Sequence, residues 1–202
     1  MFEKYCNPWG LCLSAYSQLD TLLSGCQNIR ILEFGSGSST EFLCDFALKN
    51  GTVEITSFDD NFKYMFKLQY PFLKMCLRGL LETDVDSYEK MYSERRYSPE
   101  LMHSKVSKYD TRQELNFYDI LPDDIVGDYD FVILDGPNGN GRNFAFLILL
   151  GHLKFGSYIL IDDITHYDFI ERFLSLFKAE CVFLDSSDKN NFAIFRIIGG
   201  VE

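Results

Sequence analysis

The chain has 202 residues, 47% of them hydrophobic and 24% charged, which suits one globular domain with a substantial core. Its formal net charge of −11 repels phosphate backbones and argues against a nucleic-acid partner. No signal peptide is visible and no uncharged apolar run reaches the ~20 residues that span a bilayer, so a cytoplasmic protein without a membrane segment is expected.

A leading helix is predicted near residues 11–24, then a strand at 30–34 and a helix at about 40–49 with Phe42, Leu43, Phe46 and Ala47 on one face. Residues 53–58 alternate as a strand that ends on Asp59 and Asp60. Residues 64–112 exceed what one crossover helix needs. This stretch, with Tyr88, Tyr92, Tyr97, Tyr109 and Glu94-Arg95-Arg96, is expected to be a partly helical, lid-like insertion that shapes an acceptor site, or else a solvated insertion. Further strands are predicted at 114–117, 129–134 and 157–161, with a buried helix at 144–153. A helix at about 168–178 places Phe169, Ile170, Phe173, Leu174 and Phe177 on one side. Residues 181–184 and 192–198, joined by the turn-rich segment 185–191, read as an antiparallel hairpin. Such alternation of β and α elements implies a mostly parallel sheet with helices on both faces. The six cysteines (Cys6, Cys12, Cys26, Cys44, Cys76 and Cys181) form no Cys-x-x-Cys pair and no zinc spacing.

The segment Ile31-Leu-Glu-Phe-Gly-Ser-Gly-Ser-Ser-Thr40 is a short apolar strand, a glycine turn and a helix start. Gly35 and Gly37 let the backbone turn and approach a ligand, and the first N–H groups of the helix point at whatever lies on that turn. A dinucleotide fingerprint would carry Gly or Ala where Thr40 stands, which argues against an NAD(P) oxidoreductase. With Glu33 two residues before the first glycine, the segment resembles the class I S-adenosylmethionine (SAM) methyltransferases. The resemblance covers about residues 28–198. It implies an α/β, Rossmann-like, doubly wound fold, with a mostly parallel seven-stranded sheet and a C-terminal antiparallel hairpin, in a single domain over residues 1–202. It further implies that Glu33, Gly35, Ser36 and Gly37 contact SAM and that Asp59 accepts its ribose hydroxyls through two carboxylate oxygens. Asp119, after the third strand, would meet the adenine amino group. Asp60 also reads as a helix cap with Asn61.

Asp135 ends the fourth strand and Asp162 and Asp163 end the fifth. Three carboxylates from adjacent strand ends would repel one another and raise their own pKa values. Mg²⁺ would relieve this and lower the pKa of a bound hydroxyl close to the methyl donor. The arrangement is similar to metal-dependent O-methyltransferases of the catechol type, although Asn138 stands where those enzymes often carry a lysine. The run Asp135-Gly-Pro-Asn-Gly-Asn-Gly-Arg142 resembles more closely a broader group that includes sugar and small-molecule methyltransferases, in which metal use varies. Asp135, Asp162 and Asp163 are therefore candidate Mg²⁺ ligands. Alternatively, Asp135 and Asp163 hydrogen-bond SAM or substrate directly and Asp162 caps a loop.

His166 is a candidate general base, since histidine titrates near neutrality, or an ordinary surface histidine. Arg142 would clamp an acidic substrate group or lie solvated at a helix start. The expected activity is SAM-dependent methyl transfer to a hydroxyl of a sugar or other small polar molecule, with Asp135 and His166 as catalytic residues. N-methylation of a small amine or protein side chain, and a non-catalytic SAM-binding scaffold, stand as alternatives. A homo-oligomer is compatible with the sequence.

Overall fold

The computed structural model describes residues 2–104, 115–187 and 190–199. After a 3₁₀ turn at Glu3–Tyr5 come helix α1 (Leu13–Leu23), strand β1 (Ile29–Phe34), α2 (Ser38–Asn50) and β2 (Val53–Asp59). Then follow β3 (Leu73–Leu77), β4 (Leu80–Glu82), α3 (Val85–Ser93), β5 (His103–Ser104) and β6 (Asn116–Tyr118). The chain continues with β7 (Tyr129–Leu134), α4 (Phe144–Leu149), β8 (Leu153–Asp162), α5 (Phe169–Leu176), β9 (Ala179–Ser187) and β10 (Asn190–Ile197).

Seven strands form one sheet in the order β3-β2-β1-β7-β8-β10-β9. Strand β10 is antiparallel to both β8 and β9, and the remaining pairs are parallel. The expected doubly wound architecture with a terminal hairpin is therefore present. Chain order reverses direction across the sheet at β1, with β2 on one side and β7 on the other, and ligands of open α/β sheets bind in the crevice at such a point.

Side-chain alternation along the strands builds two cores. Ile29 and Ile31 of β1, Phe131 and Ile133 of β7 and Leu160 of β8 pack with α1 and α2 on one face. Leu32 and Phe34, Val132 and Leu134, and Ile159 and Ile161 pack with α3, α4 and α5 on the other. By the same period of two, Glu33 points into the α1/α2 layer, fully buried. Its Oε2 accepts hydrogen bonds from Thr40 Oγ1 (2.6 Å) and Ser57 Oγ (2.5 Å), and Thr40 Oγ1 in turn accepts from Gly37 N (2.9 Å). This chain of bonds ties the start of α2 to β1 and β2.

Several sequence expectations need correction. Part of the predicted insertion is sheet: β3 pairs in parallel with β2 as the outermost strand of the main sheet. Only Cys76 among its five residues is buried, so an edge strand of this kind carries little hydrophobic periodicity. The strand expected at 114–117 is observed as β6, and it belongs to a separate sheet of order β5-β4-β6. Its Phe117 and Tyr118 lie against Phe34, with ring centroids 5.2 and 6.1 Å away. Residue 114, Tyr109 and positions 105–112 of the expected insertion lie outside the described residues, as do positions 188 and 189 of the hairpin turn. The predicted helix at 144–153 stops at Leu149, and Leu153 already begins β8. Leu174 of α5 is 45% exposed and does not join the buried side. Among the described residues, no helix is long and apolar enough to cross a membrane.

Replacing Thr40 by Val keeps the side-chain shape but leaves Gly37 N without its acceptor and Glu33 with one donor fewer. Urea unfolding of Thr40→Val is expected to show a loss of about 1–3 kcal/mol, the usual consequence of stranding a buried polar group.

Candidate active site

A cavity of about 1060 Å³ opens at the carboxyl ends of β1, β2 and β7. The glycine turn forms its floor. Gly35 has φ +95°, and a Cβ there would stand 2.8 Å from Gly136 N. A Cβ on Gly136 would in turn meet Gly35 Cα at 2.9 Å and Tyr118 Oη at 2.6 Å. The two glycines thus let the ends of β1 and β7 touch backbone to backbone. A Cβ on Gly37 would meet nothing within 4 Å, so the turn faces open space above the start of α2. Such a cradle of close backbone and open space suits the cofactor that the sequence pattern implies.

Gly35, Ser36, Gly37, Asp59 and Asp135 all line this cavity. Asp59, 6% exposed, accepts from Ser36 Oγ (2.7 Å) and from Asn61 N (2.7 Å). An ionised carboxylate has about four lone-pair sites, so acceptor capacity for two hydroxyls remains. Two expected cofactor contacts fall elsewhere. Glu33 faces the helix layer because of strand parity and does not line the cavity. Burial raises its carboxyl pKa, against hydrogen bonds from Ser39, Ser57 and Thr40 that lower it. Asp119 is exposed and absent from the lining, because β6 stands in the second sheet; its neighbour Tyr118 reaches the cavity.

Asp135, Asp162 and Asp163 do converge, each offering a carboxylate oxygen within 4.8 Å of the others. Adjacent pairing of β7 and β8 brings their ends together. Asp163 has φ +60°, uncommon for a side chain other than glycine, and this turns the chain at the strand end. Burial and then the charge of Asp162 push the Asp135 carboxyl well above the usual range. Burial and then the charge of Asp163 raise Asp162 to about 6. Such oxygen donors, short of positive charge, form a set that fits a hard cation such as Mg²⁺.

Arg142 is buried and lies beside this cluster, contrary to the solvated alternative. Its Nε donates to Pro137 O (2.9 Å), its guanidinium also donates to Asp162 O (3.2 Å) and Asp163 Oδ2 (3.5 Å), and it stacks 5.2 Å from the Phe169 ring. All three bonds go to its own loop and the end of β8. A Cβ on Gly141 would collide with the backbone of Asn116, so this glycine is what allows the loop before Arg142 to seat there. His166 Nδ1 lies 3.4 Å from Asp163 Oδ1, with 60% of the side chain exposed.

Sequence reasoning missed one part of the cavity lining: Asn7, Trp9 and Gly10, a turn with no helical or strand periodicity to draw attention to it. Residues 64–68, at the start of the expected insertion, also line the cavity.

The raised pKa of Asp162 has a definite sign. A folded-state value of about 6 against 3.8 means that its protonated form is favoured by folding. That contribution is complete below 3.8 and is lost as pH rises through about 6. In EDTA, thermal unfolding should therefore show stability falling between about pH 5 and 7 by on the order of 1–2 kcal/mol from this group. Asp162→Asn is expected to flatten that slope.

Comparisons with known proteins bear on the fold and the family. A family model described as a methyltransferase domain matches residues 32–164. No curated protein matches the sequence significantly. Among solved structures, the chain is similar to a Klebsiella pneumoniae protein provisionally described as an O-methyltransferase, with 10% identity, TM-score 0.51, and 98% of this chain and 86% of that one covered. It also aligns with the MycE methyltransferase of the mycinamycin biosynthetic pathway, solved with Mg and SAH, at 14% identity and TM-score 0.48. That alignment covers 100% of this chain and 51% of the other, so the chain spans about half the length of MycE. At such identities the likeness bears on the fold alone. The family match runs from β1 to just past the Asp162–Asp163 pair, and the chain belongs to the methyltransferase-domain family, the class I, Rossmann-like SAM-dependent methyltransferases.

Proposed function

We infer that the protein transfers the methyl group of SAM to a hydroxyl of a sugar or other small polar molecule, with Mg²⁺ assistance. The observation that carries this reading is one cavity reaching the glycine turn, Asp59 and Asp135 at the ends of three neighbouring strands. Gly35, Ser36 and Gly37 form the floor on which SAM lies, and Asp59 accepts its ribose hydroxyls. Asp135, Asp162 and Asp163 hold Mg²⁺. When bound, SAM supplies an electrophilic sulfonium methyl and Mg²⁺ lowers the pKa of the acceptor hydroxyl. Arg142 keeps the loop after β7 and the end of β8 in register, so that the three carboxylates stay together. His166, beside Asp163 and open to solvent, takes the acceptor proton. Orientation of donor and acceptor is worth ~7–11 kcal/mol in well-aligned cases.

Calorimetry tests the reading directly. Wild-type protein is expected to bind SAM at micromolar affinity, and Asp59→Ala to weaken it roughly ten- to hundredfold, as for a lost hydrogen bond to a charged group. A separate Mg²⁺ heat should vanish in EDTA and in Asp135→Ala. No SAM binding by the wild type would end this assignment, whereas SAM binding without any Mg²⁺ heat would move it to metal-free transfer, with an amine as the favoured acceptor.

A further inference from the structure

Trp9 is the only tryptophan of the chain, and it is 91% exposed while lining the mouth of the cavity. It precedes the segment that matches the family model. The turn that carries it is fastened in place. Trp9 N donates to Asn7 Oδ1 (2.9 Å), and Asn7 Nδ2 donates to Ser38 Oγ (2.7 Å). Ser38 Oγ also lies 3.1 Å from Tyr16 Oη. Gly10 packs so closely that a Cβ there would stand 3.0 Å from both Asn7 Nδ2 and Ser38 Oγ. Ser38 is the first residue of α2, directly after Gly37.

A second wall of the cavity is fastened to the same glycine turn. Phe66 N donates to Ser36 Oγ (3.2 Å), the serine whose hydroxyl bonds to Asp59. This wall presents Tyr64 and Leu68, 64% and 56% exposed, to the same cavity. Two segments of the cavity lining, one carrying Trp9 and one carrying Tyr64 and Leu68, are thus tied to Ser38 and Ser36, the residues on either side of Gly37. Asp59 stands at the foot of the Tyr64 wall, since Asn61 N bonds to its carboxylate. A ribose on Asp59 would lie in the same cavity as Trp9 and Tyr64.

Resting on the SAM reading above, we propose that Trp9 is a cofactor-binding residue whose ring closes over the adenosyl group held on the glycine turn. The ring is large, apolar and in water in the free protein, and covering it with a nucleobase removes that apolar area from solvent. Stacking of an aromatic side chain on a base is worth enough to change affinity roughly ten- to hundredfold.

The test uses S-adenosylhomocysteine as probe and the single tryptophan as reporter. Calorimetry is run on wild type, Trp9→Ala and Trp9→Phe, and acrylamide quenching on the same wild-type samples, since both variants lack the reporter. Saturating probe should shift the wild-type emission to the blue and make Trp9 harder to quench. Trp9→Ala should weaken probe binding roughly ten- to hundredfold. Trp9→Phe should keep most of the affinity, and both variants should melt as the wild type does, because so exposed a ring carries little of the core. Calorimetric binding with unchanged quenching, or equal affinity in Trp9→Ala, overturns the proposal and leaves the SAM reading standing. Wild-type protein that gives no binding heat at all overturns both.

Discussion

A buried carboxylate organises the cofactor end of this molecule. Glu33 sits at the end of the central strand, where strand parity turns it beneath α2, and there it accepts from Thr40 of that helix and Ser57 of the neighbouring strand. The same Thr40 oxygen receives Gly37 N, so the glycine turn, the helix start and two strands are joined through one acid. Thr40 is also the residue that breaks the dinucleotide pattern. Its hydroxyl is needed by Glu33, and Gly or Ala at this position could not supply it. The two features that separate a methyltransferase turn from a dinucleotide turn are, in this chain, two ends of one hydrogen bond.

A second group of acids gathers at the ends of two neighbouring strands. Asp135, Asp162 and Asp163 meet where β7 and β8 lie side by side, and Arg142 beside them directs two of its three hydrogen bonds to backbone carbonyls and one to Asp163. Burial first, and then the charges of the neighbouring acids, raise the carboxyl pKa values of Asp135 and Asp162. Such a set of oxygen donors suits a hard cation. Gly35 and Gly136 bring β1 and β7 into backbone contact, and Asp135 is the acid of the cluster that lines the cavity.

Local features of the sequence carried most of the fold. Phe42, Leu43, Phe46 and Ala47 are buried on α2 as their spacing requires, and the alternation of β1, β7, β8 and β10 places their side chains in two cores. Strand β3 escaped notice because an edge strand with one buried residue has little pattern to detect. The exchange of β6 for β3 in the main sheet then misplaced Asp119, since a strand's partners are set by contacts distant in sequence.

What the sequence by itself determined is the doubly wound fold, the glycine turn and the acids at the strand ends. These follow from periodicity and from the backbone freedom of glycine, both of which act over a few residues. Only the tertiary structure decided that Glu33 braces the turn from behind, that Arg142 is buried, and that the N-terminal turn carrying Trp9 forms a wall of the site. Burial of a charge and closure of a cavity depend on which distant segments pack together, and no local pattern encodes that.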